Sequence, residues 1–221
     1  MFYTNGGDLI SEKNYMISFV RHAESCGNVG IFYENEYHKD DPPLSEYGLI
    51  QANCLADNSI VESVTKIYSS SLIRAVQTAY PTSEKLNLKI MLLPDLMEIG
   101  TRIPGTDLWR LKENYPLAVP CSGDISPTGA AVMLGEESVA DLVERGKRCI
   151  SFLENEAEEG DHIMVVTHGS FFGYLLRAAL GIELPEKFCW QVDNCSITRV
   201  IFRKDNIPKL SFANSVQHLK Q

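Results

Sequence analysis

Short apolar runs alternate with amphipathic segments along most of this 221-residue chain, and that alternation limits the possible folds more than any other feature. Each run is bounded by polar or turn-forming residues, as strands usually are. Strands that alternate with helices predict an α/β fold with a largely parallel sheet. The last two strands have no helix between them, which predicts a hairpin or an antiparallel edge. The predicted strands are Tyr15–Val20, Lys66–Ser69, Lys89–Leu93, His162–Thr167, Ser196–Phe202 and Lys209–Phe212.

The helical patterns fall between these strands. The longest has its apolar residues spaced for one face, as a helix packed on a sheet requires. Ser138 and Asp141 near its start fit a capping box in which Asp replaces the usual Glu. The predicted helices are Ser45–Asn58, Leu72–Leu86, Glu136–Glu156 and Phe171–Leu180.

The segment 100–135 differs from the rest of the chain. It holds four of the ten prolines and five glycines, and its pattern predicts only one helix, Asp107–Tyr115. Long insertions of this kind usually form a lid or a binding loop. A chain of 221 residues fits one domain. We therefore interpret residues 1–221 as a single domain and 100–135 as an inserted cap.

Composition narrows the classes of partner. The formal net charge is −9 and no basic block occurs, which argues against nucleic acid as a partner. An acidic protein can still bind an anion where a few arginines converge. The six cysteines have no metal-site spacing and indicate reduced thiols. No signal-peptide pattern and no apolar run of membrane length occurs, so we expect a cytoplasmic protein that does not enter a membrane.

Polar side chains that could take part in binding or catalysis follow four of the predicted strands. Arg21 and His22 follow the first, Arg74 follows the second by one turn, Glu98 follows the third and His168 follows the fourth. Open α/β sheets bind ligands at the carboxyl ends of their strands. These five side chains are therefore expected at one edge of the sheet, where they form a pocket.

Each of these residues alone has a plainer interpretation, such as a solvated turn or a hydrogen-bonded core histidine. Their shared position at corresponding strand ends favours a joint function. Arginine offers planar, bidentate contacts to phosphoryl oxygens. A neutral histidine can attack as a nucleophile, and a protonated one can donate a proton. Two arginines and two histidines together suit a dianionic phosphoryl group.

The same residues lie in motifs that resemble one known family. The motifs R-H-A-E-S-x-x-N, S-S-x-L-x-R-A-x-x-T-A, L-x-E, G-E-x-S and T-H-G occur in order, and P-L-S-x-x-G-x-x-Q-A has the usual spacing. Together they resemble the histidine phosphatase superfamily, the phosphoglycerate mutase-like proteins. The resemblance extends from about residue 15 to residue 203. The motifs occupy 21–28, 69–79, 96–98, 135–138, 167–169 and 43–52 in the order given.

The resemblance implies a three-layer α/β/α fold with a central, mostly parallel mixed sheet, and a reaction that needs neither metal nor cofactor. His22 matches the histidine that becomes phosphorylated. Glu98 lies where branch-one members have the proton donor. The resemblance identifies His168 as the third catalytic residue, besides His22 and Glu98. Residues that match groups holding the phosphoryl oxygens or lining the pocket rim are Arg21, Asn28, Arg74 and His168.

Two departures from the family pattern bear on the reaction. Ala23 replaces the commoner glycine after the first histidine, and Gly27 stands where mutases commonly have tryptophan. The mutase substrate signature that follows is also missing. A metal-independent phosphatase is therefore favoured over a mutase or a sugar-phosphate bisphosphatase. A catalytically weak phosphate-binding module and a protein phosphohistidine phosphatase stay open as alternatives.

The predicted cap supplies candidates for recognition of the rest of the substrate. The cap residues that could contact the non-phosphate part are Arg102, Trp109, Arg110, Lys112 and Tyr115. Of these, Trp109 and Tyr115 could instead only pack the cap onto the body. We expect a small phosphorylated metabolite, such as a sugar phosphate, a nucleotide-like compound or a phosphorylated cobamide precursor. The C-terminal strands are either a homodimer edge or a solvent-facing one.

Overall fold

The structure, a computed structural model, describes residues 3–5, 8–31, 41–101, 108–121, 136–182 and 190–220. Within these ranges the strands form one sheet of seven strands and a separate antiparallel pair. In chain order the strands are β1 (Tyr3–Asn5), β2 (Asp8–Ile10), β3 (Tyr15–Arg21), β4 (Lys66–Ser69), β5 (Ile90–Leu92), β6 (Ala118–Pro120), β7 (His162–Thr167), β8 (Ile197–Phe202) and β9 (Lys209–Ser215).

Five α-helices lie in the described ranges, together with three short 3₁₀ turns. The capping box predicted for the longest helix is confirmed, because Ser138 Oγ accepts from the Asp141 amide and the Asp141 carboxylate accepts from the Ser138 amide. No helix of the described residues is long and apolar enough to cross a membrane. The helices are α1 (Glu46–Asp57), α2 (Ile73–Leu86), α3 (Leu108–Asn114), α4 (Val139–Glu156) and α5 (Gly169–Leu180).

The large sheet is mixed but mostly parallel. Its strand order is β6-β5-β4-β7-β3-β8-β9, and every pair from β6 to β3 is parallel. Strands β8 and β9 pair antiparallel at the other edge. The predicted α/β class and the predicted antiparallel edge are both confirmed.

Helices cover both faces of this sheet. Along β7, Met164 and Val166 face one core, which α1 and α2 complete, and Ile163 and Val165 face the other, which α4 and α5 complete. All four side chains are fully buried. A strand buried on both faces is the expected centre of a doubly covered parallel sheet. The three-layer arrangement is therefore confirmed.

The segment predicted as an inserted cap contributes to the body of the fold. Its helix is present as α3, and it also holds β6, which the sequence analysis did not predict. Strand β6 pairs in parallel with β5 and extends the sheet by one strand. Residues 102–107 and 122–135 of this segment lie outside the described ranges.

A buried histidine connects three strands through polar contacts, at the opposite end of the strands from the predicted pocket. His162, the first residue of β7, is hydrogen-bonded through Nε2 to Ser18 Oγ of β3 and through Nδ1 to Ser63 Oγ, both at 2.8 Å. Arg199 of β8 donates to Ser18 Oγ and lies 3.3 Å from His162 Nε2. Burial, reinforced by the charge of Arg199, lowers the pKa of His162 to about 4.

We predict that His162 makes the protein sensitive to acid. Because its folded-state pKa lies below the unfolded value, its contribution to stability is present above about pH 6.5 and is lost as the pH falls toward 4. Between about pH 7.5 and pH 4.5 the wild type should lose roughly 2–3 kcal/mol more unfolding free energy than His162→Gln. Urea unfolding at both pH values measures this difference. Equal losses in the two proteins would contradict the prediction.

Candidate active site

The predicted pocket residues follow four strands that are neighbours in the sheet. The order β5-β4-β7-β3 brings the segments after these strands side by side. Pairing continues past the strand ends, because the His22 amide donates to the Thr167 carbonyl and the Ser70 amide donates to the Val166 carbonyl. The first residues after β3 and β4 are therefore held to β7 by backbone hydrogen bonds.

His22 is buried and oriented by the backbone. It is 3% exposed, and its Nδ1 lies 2.7 Å from the carbonyl oxygen of Ala23. A carbonyl only accepts, so Nδ1 carries the proton and Nε2 keeps its lone pair in the neutral ring. Burial and the positive charges of Arg74 and Arg21 lower the pKa of His22 well below its usual value. His22 is therefore a neutral imidazole at neutral pH, with Nε2 available to attack.

His168 lies beside His22 and is also neutral. The two ring centroids are 5.1 Å apart, and His168 Nε2 is 2.8 Å from Ser70 Oγ. Burial, together with the charge of Arg74, lowers the pKa of His168 well below its usual value. Among the described residues its Nδ1 is buried without a hydrogen-bond partner. Such an atom is costly to leave unpaired, so a ligand oxygen or a water is the expected partner.

Two arginines supply the positive charge of this pocket. Arg21 donates through Nη1 to the carbonyl of Val192 at 2.6 Å, and its buried Nε has no partner among the described residues. Arg74 is 9% exposed and forms a 3.4 Å ion pair with the buried Asp41. Burial lowers the pKa of both arginines. Both remain charged because an arginine is not deprotonated in proteins, and an anion in the pocket would compensate that charge.

Glu98 faces the same group of residues from the segment after β5. Its carboxylate accepts from the amide of Ile99 at 2.9 Å and from the amides of Phe171 and Ser170 at 3.2 and 3.3 Å. The last two amides belong to the first turn of α5, where the helix dipole favours a negative charge. The charge of Glu98 also acts on both pocket arginines. The predicted acid is thus in the site.

The loop after His22 is held by polar side chains of two helices. The Ala23 amide donates to Thr78 Oγ1 at 2.9 Å, and the Glu24 amide donates to Gln51 Oε1 at 2.8 Å. Thr78 and Gln51 are the last polar residues of two of the predicted motifs. Their function in this structure is to hold the backbone that carries His22.

Glycine allows α1 to approach the same loop closely. A Cβ built on Gly48 would lie 1.9 Å from the carbonyl oxygen of Glu24, so no other residue fits without moving the backbone. Ser45 caps the helix by accepting from the Gly48 amide, and its own amide donates to the Glu24 carbonyl. The P-L-S-x-x-G-x-x-Q-A motif therefore holds the loop after His22 in place.

Asn28 lies at the rim of the pocket, but its amide oxygen is already engaged. Asn28 Oδ1 accepts from the Ser25 amide, from Ser25 Oγ and from Asn194 Nδ2, at 3.0, 3.0 and 3.1 Å. Asn194 Nδ2 also donates to the His22 carbonyl at 3.1 Å. Contact of Asn28 with a phosphoryl group stays a prediction, and its observed function is to close the loop around His22.

Sequence analysis gave no function to Asp41, Ser70 or Asn194, which all contact pocket residues. Asp41 accepts from the Ile73 amide through both carboxylate oxygens, so it caps α2 as well as pairing with Arg74. Their positions could have identified two of them, since Asp41 lies two residues before the P-L-S motif and Ser70 directly follows β4.

The structure places the residues of the predicted cap in different surroundings. Arg102 lies outside the described residues, and Trp109 is 56% exposed with the guanidinium of Arg110 5.4 Å above its ring. Tyr115 packs edge-on against Tyr80 of α2. The packing interpretation is thus correct for Tyr115, and substrate contact by the other four candidates stays a prediction. No cluster of three or more potential metal ligands occurs among the described residues.

Comparisons with known proteins identify one superfamily. The family model described as histidine phosphatase superfamily (branch 1) matches residues 17–215. A protein of Yersinia pestis named probable phosphoglycerate mutase GpmB is 26% identical over 200 residues, which is 85% of this chain and 85% of that protein.

Two phosphatases of known structure are similar to this chain over most of its length. A phosphoserine phosphatase mutant from Entamoeba histolytica, in complex with phosphoserine, is 26% identical with a TM-score of 0.63, and the match covers 93% of this chain and 99% of that chain. A mycobacterial glucosyl-3-phosphoglycerate phosphatase, 23% identical with a TM-score of 0.64 over 90% of this chain and 99% of its own, shares the fold.

We predict that Gly169→Ala weakens anion binding by displacing Arg21. A Cβ on Gly169 would lie 3.1 Å from Arg21 Nε and 3.3 Å from its Cζ, so the guanidinium must shift by a few tenths of an ångström. Weakening one charge-assisted hydrogen bond in this way should lower the affinity for inorganic phosphate by roughly 3- to 10-fold, measured by calorimetry. The matched control is Gly173→Ala in the same helix, where the nearest atom is Trp190 Cβ at 3.7 Å. Equal affinities in the two variants would contradict this reason for the glycine.

Proposed function

Because the chain belongs to the histidine phosphatase superfamily (branch 1), we propose that it hydrolyses a small phosphate monoester through a phosphohistidine intermediate on His22. It is an enzyme of this superfamily, a phosphatase or a mutase. The observation that carries the proposal is the neutral His22, whose Nδ1 proton is fixed on a backbone carbonyl while two guanidinium groups lie nearby.

The first step transfers the phosphoryl group to the enzyme. Nε2 of His22 attacks phosphorus while the bond to the ester oxygen breaks, and that oxygen leaves with the electron pair. Arg21 and Arg74 bind the non-bridging oxygens, where charge accumulates in the transition state. Glu98 in its acid form gives its proton to the leaving oxygen, so an alcohol departs rather than an alkoxide.

The second step returns the enzyme to its starting state. Glu98, now a carboxylate, takes a proton from a water molecule as that water attacks phosphorus. The bond between phosphorus and Nε2 breaks, phosphate is released and His22 is again a neutral imidazole.

The loop after His22 supports a phosphatase over a mutase. A Cβ built on Gly27 would lie 2.8 Å from Pro42 Cγ, so the packing here leaves no space for the tryptophan that mutases commonly carry. A mutase must also keep water from its phosphorylated intermediate and bind a carboxylate. The similarity to the Yersinia pestis protein keeps phosphoglycerate mutase as the second candidate.

A small phosphorylated metabolite is proposed as the substrate, with Arg102, Trp109 and Arg110 as candidate contacts to its non-phosphate part. A cytoplasmic location and a reaction that needs no metal ion belong to the same proposal. The free thiols of Cys26, Cys149 and Cys195 suit a reducing compartment.

We predict that the wild type hydrolyses para-nitrophenyl phosphate in excess EDTA and that His22→Ala does not. The reason is that His22 Nε2 is the proposed nucleophile. His162→Gln, which removes a buried histidine at the other end of the sheet, should retain most of the activity and is the matched control. Activity that persists in His22→Ala would contradict the proposed mechanism. Incubation with phosphoglycerate then separates the two candidates, since a phosphatase releases phosphate and a mutase yields the positional isomer.

We predict that Glu98→Gln acts only where the leaving group needs a proton. For phenyl phosphate, kcat/KM should fall about 10²- to 10⁴-fold. For dinitrophenyl phosphate, whose phenoxide leaves unprotonated, the loss should be much smaller. The matched control is Asp95→Asn, which neutralises a carboxylate three positions earlier that pairs with Arg148. Equal losses on both substrates would show that Glu98 is not the proton donor.

A further inference from the structure

Arg145, in the middle of α4, is a charged side chain in the core. It is 1% exposed and is among the largest fully buried side chains of the described residues. Its Nε and Nη2 donate to the two carboxylate oxygens of Glu137 at 2.7 and 2.8 Å. A buried charge needs such a partner, and this bidentate geometry is the strongest form available to arginine.

The remaining nitrogen of this guanidinium holds the segment that leads to Glu98. Arg145 Nη1 donates to the carbonyls of Asp95 and Met97 at 2.9 and 2.8 Å. The carbonyl between them, that of Leu96, accepts from Thr167 Oγ1 at 2.9 Å. Three consecutive carbonyls directly before Glu98 are therefore bound by side chains of α4 and β7.

Arg145 also touches the other group that holds Glu98. Its guanidinium lies 3.6 Å from the centre of the Phe171 ring. The amide of Phe171 is one of the donors to the Glu98 carboxylate. One side chain thus contacts both the segment that carries the carboxylate and the residue that binds it.

We propose that Arg145, itself oriented by Glu137, is a positioning residue that fixes Glu98 for proton transfer, an inference that rests on the proposed function. Stability alone does not account for the pair, because buried ion pairs are often replaced by apolar residues without loss of stability. Lysine could not substitute, since it lacks the planar fork that reaches the carboxylate and both carbonyls together.

The test compares two substrates in Arg145→Met. The parameter is kcat/KM, which reports transfer to His22 and therefore includes departure of the leaving group. A misplaced acid should lower kcat/KM for phenyl phosphate by about 10²-fold, with only a small effect on dinitrophenyl phosphate. Affinity for inorganic phosphate should stay within about twofold of wild type, because Arg145 does not hold the phosphoryl group. This selectivity should match that of Glu98→Gln.

Two further variants separate positioning from folding. Arg148→Met removes an arginine one turn along α4 whose more exposed ion pair involves the Asp95 side chain, and it should leave both substrates unchanged. The double variant Arg145→Met/Glu137→Met replaces the buried pair by apolar side chains. It should recover thermal stability while keeping the selective loss on phenyl phosphate, and it serves if Arg145→Met alone does not fold.

The outcomes are distinct. A folded Arg145→Met or double variant that loses activity equally on both substrates, or loses none, would overturn the positioning role while His22-dependent hydrolysis stands. Activity that persists in His22→Ala would instead overturn the proposed function, and this inference with it.

Discussion

Positive charge buried at the ends of β3 and β4 is the condition on which the rest of the site depends. Burial and, after it, the charges of Arg74 and Arg21 lower the pKa of both His22 and His168, so the two neighbouring histidines stay unprotonated. The carboxylate of Glu98, which accepts from two amides in the first turn of α5, favours the charged form of both arginines. A protein can hold such a cluster only where a rigid backbone prevents it from relaxing into solvent. Four neighbouring parallel strands provide that backbone.

The motifs that identify the family contain residues proposed to contact a phosphoryl group and residues that hold those side chains in place. Gly169 belongs to the second group, because it lets α5 begin directly against Arg21. Gly48 does the same for α1 and the loop after His22. Thr78, whose hydroxyl also donates to the Arg74 carbonyl, joins the histidine loop to the helix that carries the second arginine. Pocket and scaffold are therefore encoded by the same short stretches of sequence.

The sequence predicted the parts of this fold that repeat a local pattern. Long amphipathic helices and buried strands were found because periodicity and strand length are local properties. Strand β6 was missed since three residues ending in proline carry no period, and only pairing with β5 makes them a strand. Arg145 was missed for a different reason. It lies three residues after Leu142 and four before Cys149, on the buried face of α4, yet an arginine is ordinarily read as solvent-facing.

The ion pair between Asp41 and Arg74 bears on how tightly the proposed site would hold an anion. Any anion that binds Arg74 must share the guanidinium with a carboxylate that is already present, so the gain on binding is smaller than a free arginine would give. Asp41 cannot easily withdraw, because the same carboxylate accepts from the first amide of α2. In the proposed hydrolysis, such a pocket binds the phosphate product more weakly and therefore releases it more readily.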